Sequence, residues 1–272
     1  MSLKRFYTQT KLCYESIGTG DAVVLLHGFG EDISVWQPVV AQLSAHYRLL
    51  LPHLRGSYLS PFPADDSDSS TKPLVSMESM AEDIHEILEE ENIAQCVMLG
   101  HSMGGYITLA FAEKYAYQLK GFGLIHSTSY ADTDTKKEAR RKNAAFILEQ
   151  GSRSFLNIAL PGLFGKKFQH THPEKINALI ERASLIPPAS LIAYLEAMLV
   201  RPDRTSILLD THLPVFFCIG KEDIAVSPED AIQQATLPLH AHTLILDEVG
   251  HQGMLEAPEK LIEAVTEFLS GV

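Results

Sequence analysis

"VMLGHSMGGYITLAFAEKY" occupies residues 97–115. A short apolar run ends at Leu99; Gly100, His101, Ser102, Met103, Gly104 and Gly105 follow, and the spacing of apolar residues then turns helical. A strand that passes directly into a helix leaves one residue at a tight corner, its backbone in a sparsely allowed region with positive φ. Bulky side chains two positions to either side would collide there, and Gly100 and Gly104 avoid the collision. Ser102 then projects from the carboxyl end of a strand. The helix start behind it offers unpaired N–H groups and a positive partial charge to an oxyanion forming beside it. This is the G-x-S-x-G pattern of a nucleophilic serine.

Working outward, "AVVLLHG" (22–28), "YRLLLPH" (47–53), "LKGFGLIHS" (119–127) and "PVFFCIG" (214–220) are continuous apolar runs, the look of buried parallel strands, and "HTLILDEVG" (242–250) is a further strand. Residues 3–17 alternate loosely, as a hairpin or two edge strands, and "DDSDSSTKP" (65–73) reads as a polar loop. Between the runs lie helical patterns at 34–45 and at 76–93, a helix opened by "SPED" (227–230), and a last helix from Pro258 to about Leu269. In 76–93, Met77, Met80, Ala81, Ile84, Ile87 and Leu88 share one face, with Ser79 and Glu82 as an expected capping box. The alternation predicts an α/β fold, a mostly parallel central sheet with helices on both faces. Residues 127–210 break it with helical patterns and no convincing strand, including "DTKKEARRKNAAFILEQ" and "PASLIAYLEAML". The expected organisation is therefore a core domain of 1–126 and 211–272 with an all-helical lid, 127–210, inserted in it.

Composition narrows the partners. Lys and Arg number 22 against 34 Asp and Glu in 272 residues, a formal charge of −12. That disfavours nucleic acid and anionic membrane surfaces, which reward basic patches. No apolar run approaches the ~20 residues that span a bilayer, and the N-terminal residues show no apolar signal region. Cys13, Cys96 and Cys218 are scattered without a CxxC pair, which points to reduced buried thiols, a reducing compartment and no metal centre. The expectation is a cytoplasmic protein, monomer or homodimer, acting on a small molecule without cofactor or metal.

Four blocks, "HGFG" (27–30), "GHSMGG" (100–105), "GKED" (220–223) and "GHQG" (250–253), make the chain resemble the lid-bearing serine hydrolases of the α/β-hydrolase superfamily, relatives of esterases, enol-lactonases and C–C hydrolases. The resemblance implies that His251 is the base for Ser102 and Asp223 the acid that orients it, in the chain order expected of that fold. Asp247 and Glu248 lie closer to His251 in sequence, Asp210 precedes the strand, and Asp132 is a lesser substitute. The backbone N–H groups of Phe29 and Met103 are implied as the oxyanion hole. Trp36, His27, His101 and His126 are candidates for the substrate pocket. Trp36 also suits packing under the loop, and His101 also suits a structural role. Leu160, Leu163, Phe164, Leu195, Met198 and Leu199 form either a pocket roof or the lid's own core. One departure stands out: many relatives carry Asp-x-Arg-Gly-x-Gly where this chain reads His53-Leu54-Arg55-Gly56-Ser57-Tyr58. The implied reaction is cleavage of a carboxylic ester or lactone of a small, partly apolar molecule through an acyl-enzyme. The alternatives are C–C hydrolysis or lysis on the same triad, and a ligand-binding receptor with little turnover.

Overall fold

The computed structural model describes residues 4–8, 12–57, 59–62 and 75–272. Tyr58 and the polar loop at 65–73 lie outside the described residues. Eight strands form one sheet: β1 (Lys4–Tyr7), β2 (Cys13–Ile17), β3 (Ala22–Leu26), β4 (Arg48–Pro52), β5 (Cys96–His101), β6 (Leu119–Ile125), β7 (Val215–Gly220) and β8 (Ala241–Leu246). Their order is β1-β2-β4-β3-β5-β6-β7-β8. β1 and β2 make the antiparallel edge expected of residues 3–17. The other six strands run parallel. β3, β5 and β7 are buried along their whole length. Helices cover them on both faces, so these strands read as unbroken apolar runs rather than as alternation. β8 is an outer strand, largely exposed, and it stops at Leu246; residues 247–250 are loop.

Helix α1 (Gln37–Leu43) follows a 3₁₀ turn at Ile33–Trp36. Helix α2 (Met77–Glu90) buries the predicted face from Met77 to Leu88. Its cap differs from the expectation. Ser76, in extended backbone, accepts the Ser79 N–H at 3.0 Å, and Ser79 Oγ accepts the Ser76 N–H at 2.9 Å. A capping residue must stand just outside the helix, and Ser79 is already a turn's length inside it. Helix α3 (Met103–Tyr115) is buried on almost every side, as suits an element laid directly over β5 and β6.

Between β6 and β7 the described chain contains no strand. Its helices are α4 (Asp134–Ala159), kinked at Gly151 where φ is +81°, α5 (Lys166–Thr171), α6 (Pro173–Ala183), α7 (Pro188–Val200) and α8 (Thr205–Asp210). The two ends of this segment are bound side by side. Asp132, whose side chain is wholly buried, accepts from Arg201 at 2.8 Å and pairs with Arg140. Arg201 also donates to the Tyr130 carbonyl at 2.9 Å and stacks over the Tyr106 ring of α3 at 3.9 Å. The Arg204 N–H reaches the Ser129 carbonyl at 2.9 Å. Burial alone would raise the Asp132 carboxyl, but Arg140 and Arg201 hold it below its ordinary range. Leu160, Phe164, Leu195 and Met198 are buried within the helical segment. Leu163 and Leu199 are half-buried.

Helix α9 (Pro228–Gln234) starts as "SPED" predicts, with Ser227 Oγ accepting the Asp230 N–H. Short α10 (Gly253–Glu256) and α11 (Pro258–Ser270) close the chain. All three cysteines are free and buried. Burial pushes the Cys96 thiol up to about 12, which keeps it protonated and inert.

Candidate active site

The sheet order brings two loops together. β3 and β5 are neighbours, with Leu26 opposite Gly100, yet the chain runs outward from β3 to β4 before returning to β5. At such a reversal the loops after the two adjacent strands diverge and leave a crevice at the carboxyl edge. "HGFG" and Ser102 are those loops.

Ser102 has φ +51° and ψ −114°. The three glycines around it each prevent a different clash. A Cβ on Gly100 would lie 2.3 Å from the Gly104 carbonyl; one on Gly104 would lie 2.6 Å from the Leu26 oxygen; one on Gly105 would lie 2.3 Å from Ser127 Oγ. The Ser102 N–H bonds the Ile125 carbonyl at 2.9 Å, and Ser127 Oγ donates to the Ser102 carbonyl at 2.7 Å. The corner is thus held from both sides.

Ser102 Oγ lies 2.8 Å from His251 Nε2, and His251 Nδ1 lies 2.7 Å from Asp223 Oδ2. The other oxygen, Asp223 Oδ1, accepts the Ala225 and Val226 N–H groups at 2.8 and 3.0 Å. Ser102 keeps partial exposure, whereas His251 and Asp223 are buried. Burial would raise the Asp223 carboxyl, but His251 and His126 hold it well below the usual carboxylate range. Burial would lower His251; Asp223 outweighs it and raises it above an ordinary histidine. The ionised acid takes the Nδ1–H, which leaves the Nε2 lone pair for the serine hydroxyl. The rival acids are engaged elsewhere: Asp247 with Lys221, Glu248 with Lys167, Asp132 with its two arginines, while Asp210 is exposed at the end of α8.

His251 reaches Ser102 because its loop doubles back over β7. A Cβ on Gly220 would lie 2.1 Å from the Gly250 oxygen, so only glycine fits at that crossing. The Glu256 carboxylate collects the N–H groups of Gly250, Gln252 and Gly165 at 2.7–3.1 Å. The helical segment joins in: the His251 N–H donates to the Leu163 carbonyl at 2.6 Å.

Met103 is the first residue of α3, so its N–H has no carbonyl one turn back to bond. A Cβ on Gly28 would lie 3.1 Å from Ser102 Cβ, which brings the Gly28–Phe29 stretch alongside the serine. Phe29 is half-buried, edge-on to Phe155 of α4 at 6.2 Å, and Leu156 lies over Gly30.

The four pocket candidates stand behind the site rather than in it. Trp36 is 1% exposed and packs with Val39, Leu43, Leu99 and Leu261, because its bulk fills the layer under the loop. His27 accepts the Leu54 N–H at Nε2, 3.3 Å away, and is buried. His101 is buried between Glu31 Oε2 at 2.9 Å and the His251 carbonyl at 2.8 Å. His126 accepts the Gly253 N–H at Nε2, 3.1 Å, and presents Nδ1 to Asp223 Oδ2 at 3.4 Å. Burial lowers His126 to about 4 despite Asp223, so it is a neutral ring braced against the acid. In the departing loop, Arg55 pairs with Asp83 of α2, and its carbonyl accepts the Tyr194 hydroxyl at 2.7 Å.

Sequence reading missed Glu31, Gln252, Glu256 and Ser127. Glu31 directly follows "HGFG" and Gln252 directly follows His251, the one signal available for either. Facing atoms of His126, Asp223 and His251 fall within 4.8 Å of one another. A cation there would have to displace the proton shared by Asp223 and His251 across 2.7 Å. A cleft of about 400 Å³ is lined by Glu31, Asp32, His53, Ser57, Arg182 and Leu185 among others, and Ser102 is not part of its lining. Among the described residues no single helix is long and apolar enough to cross a membrane.

A family model described as the alpha/beta hydrolase fold matches residues 21–258. The chain is 24% identical, over 94% of its length and 93% of the other's, to an (E)-2-((N-methylformamido)methylene)succinate hydrolase from Acinetobacter baylyi. A thermophilic esterase from Thermogutta terrifontis superposes with a TM-score of 0.87 at 27% identity, covering 100% of this chain and 99% of that one. The enol-lactonase from Burkholderia xenovorans LB400 superposes at 0.86 with 20% identity, covering 98% and 100%; at that identity the likeness is one of fold.

Proposed function

The chain belongs to the α/β-hydrolase fold family, and from that premise we propose that it is a serine hydrolase that cleaves a carboxylic ester or lactone of a small, partly apolar molecule. The observation that carries the reading is the continuous relay Ser102 Oγ–His251 Nε2 at 2.8 Å and His251 Nδ1–Asp223 Oδ2 at 2.7 Å. In the first half-reaction Ser102 Oγ attacks the carbonyl carbon and its proton passes to His251 Nε2. Asp223 keeps the ring in the required tautomer and offsets the imidazolium charge. The N–H groups of Phe29 and Met103 receive the oxyanion. As the tetrahedral adduct collapses, His251 gives its proton to the departing alkoxide, leaving an acyl-serine. Water then repeats the steps and restores Ser102.

On this reading residues 127–210 act as a lid, with Phe155, Leu156 and Leu163 forming the apolar side of the substrate space. The likeness to a thermophilic esterase at 27% identity supports ester cleavage. Three free buried thiols support a reducing, cytoplasmic setting.

The test is intact mass after exposure to a fluorophosphonate, on the unaltered protein and on Ser102→Ala, alongside a panel of 4-nitrophenyl esters and lactones. An adduct and ester turnover that both vanish in Ser102→Ala are expected. Ester turnover that survives Ser102→Ala sinks the proposal.

A further inference from the structure

Glu31 is a deeply buried charge that lies outside the Ser102–His251–Asp223 relay. Its side chain is 1% exposed. Three donors converge on it: the Gly28 N–H at 2.7 Å and His101 Nδ1 at 2.9 Å on Oε2, and Gln252 Nε2 at 2.6 Å on Oε1. A carboxylate that collects three donors is stabilised in its ionised form. Burial would raise this carboxyl, but His101, Gln252 and Gly28 bring it to about 2. On its far side His101 Nε2 faces the His251 carbonyl at 2.8 Å. Both ring nitrogens of His101 thus face acceptors, the Glu31 carboxylate at Nδ1 and the His251 carbonyl at Nε2.

Each of these bonds ends on a different piece of the site. Gly28 opens the loop that carries Phe29. His101 immediately precedes Ser102. The His251 carbonyl and Gln252 belong to the loop of the base. Residues far apart in sequence, at 28, 101 and 252, meet at one carboxylate. Removing it would leave Gly28 N–H and Gln252 Nε2 buried without their acceptor, and both loops would relax.

Resting on the serine-hydrolase reading above, we propose that Glu31 is a positioning residue: through Gly28 it aims the Phe29 N–H at the oxyanion, and through His101 and Gln252 it holds the loop of His251 in register with Ser102. Glu31 touches no reacting atom. Its effect is realised when the oxyanion forms, so it appears in kcat and leaves ground-state binding nearly unchanged.

The experiment compares Glu31→Gln, Glu31→Ala and Gln252→Ala with the unaltered protein. Three measurements are made: steady-state kinetics (kcat and KM) on 4-nitrophenyl acetate, inhibition by a trifluoromethyl ketone, and histidine-ring ¹⁵N spectra, with the His101 signal identified through His101→Gln. Expected for Glu31→Gln is a fall in kcat of about 10- to 100-fold, below or at the loss of a whole oxyanion donor, with KM within about threefold. Ketone inhibition weakens in step with kcat/KM. Gln252→Ala, which removes one of the three bonds and keeps the carboxylate, loses less. The ring spectrum of the unaltered protein shows two N–H groups on His101, and Glu31→Gln shows one. A folded Glu31→Gln protein with unchanged kcat overturns the proposal, as does a His101 ring with a single N–H in the unaltered protein. The ring spectrum needs no turnover. Failure of the unaltered protein to hydrolyse any ester therefore counts against the serine-hydrolase reading, while the spectrum still decides the Glu31 network.

Discussion

The carboxyl edge of the sheet and the helical segment between β6 and β7 both supply groups around Ser102, but they hold them by different means. At the sheet edge the constraint is backbone against backbone. Gly100 against Gly104, Gly104 against Leu26 and Gly220 against Gly250 leave no room for a single methyl group. The helical segment meets the core backbone against backbone where Leu163–Gly165 crosses Gly250, and elsewhere it is tied by side chains: the Asp132–Arg201 neck, Arg182 on Asp32 and Tyr194 on the Arg55 carbonyl. Geometry needed to a fraction of an ångström sits where the main chain enforces it. The helical segment is held where side chains can be exchanged without dismantling the sheet.

The comparison breaks most visibly at the relay. Asp223→Asn keeps the shape of the acid and removes its charge, so the neutral ring can take the wrong tautomer. A fall in kcat of about 10⁴-fold is expected on an ester substrate, with the fold intact by circular dichroism. Retention of activity would mean that the sheet edge does not set the chemistry.

The neck comes next. Asp132→Ala leaves Arg201 buried without its carboxylate, a change that costs about 3–5 kcal/mol where a buried pair is broken. Urea denaturation reads the loss directly. The sign with pH follows from the depressed Asp132 carboxyl: its contribution is complete above the unfolded aspartate value of about 4 and is lost as pH falls toward the folded value. An acid-side loss of stability is therefore expected in the unaltered protein and a flatter profile in Asp132→Ala.

A smaller effect concerns pH and turnover. In the proposed mechanism His251 must be neutral to accept the serine proton, and Asp223 raises its affinity for protons. Activity is expected to rise with pH through a midpoint above the ordinary histidine value of about 6.5, changing tenfold per unit on the acid side. A midpoint below that value would show that burial, not Asp223, dominates at His251.

The smallest effect is at the rim. Arg182 is about half exposed and pairs with Asp32. Arg182→Ala should change stability by less than about 1 kcal/mol. If a similar substitution shifts KM or substrate preference by severalfold while stability stays put, the helical segment is the selecting surface that its construction suggests.

Much of this was legible beforehand, and for local reasons. The buried strands are continuous apolar runs, α2 carries its face at 3.6-residue spacing, and "GHSMGG" names a corner that only glycine can surround. His101, His126 and Trp36 were harder, since a histidine or tryptophan near a conspicuous motif reads the same whether its ring faces a cavity or a neighbour's carbonyl. The cap of α2 moved by one turn because Ser76 and Ser79 offer the same chemistry and only the backbone angles choose between them.

The sequence by itself determined the parallel sheet, the strained serine and the helical segment between two strands, because each is written in neighbouring residues or in simple chain order. Only the tertiary structure decided which acids serve the site. Glu31 meets His101 70 positions away and Gln252 221 positions away. Its role exists only after the loops of β3, β5 and β8 have converged, since a buried carboxylate is defined by the donors that fold around it and not by the residues beside it in the chain.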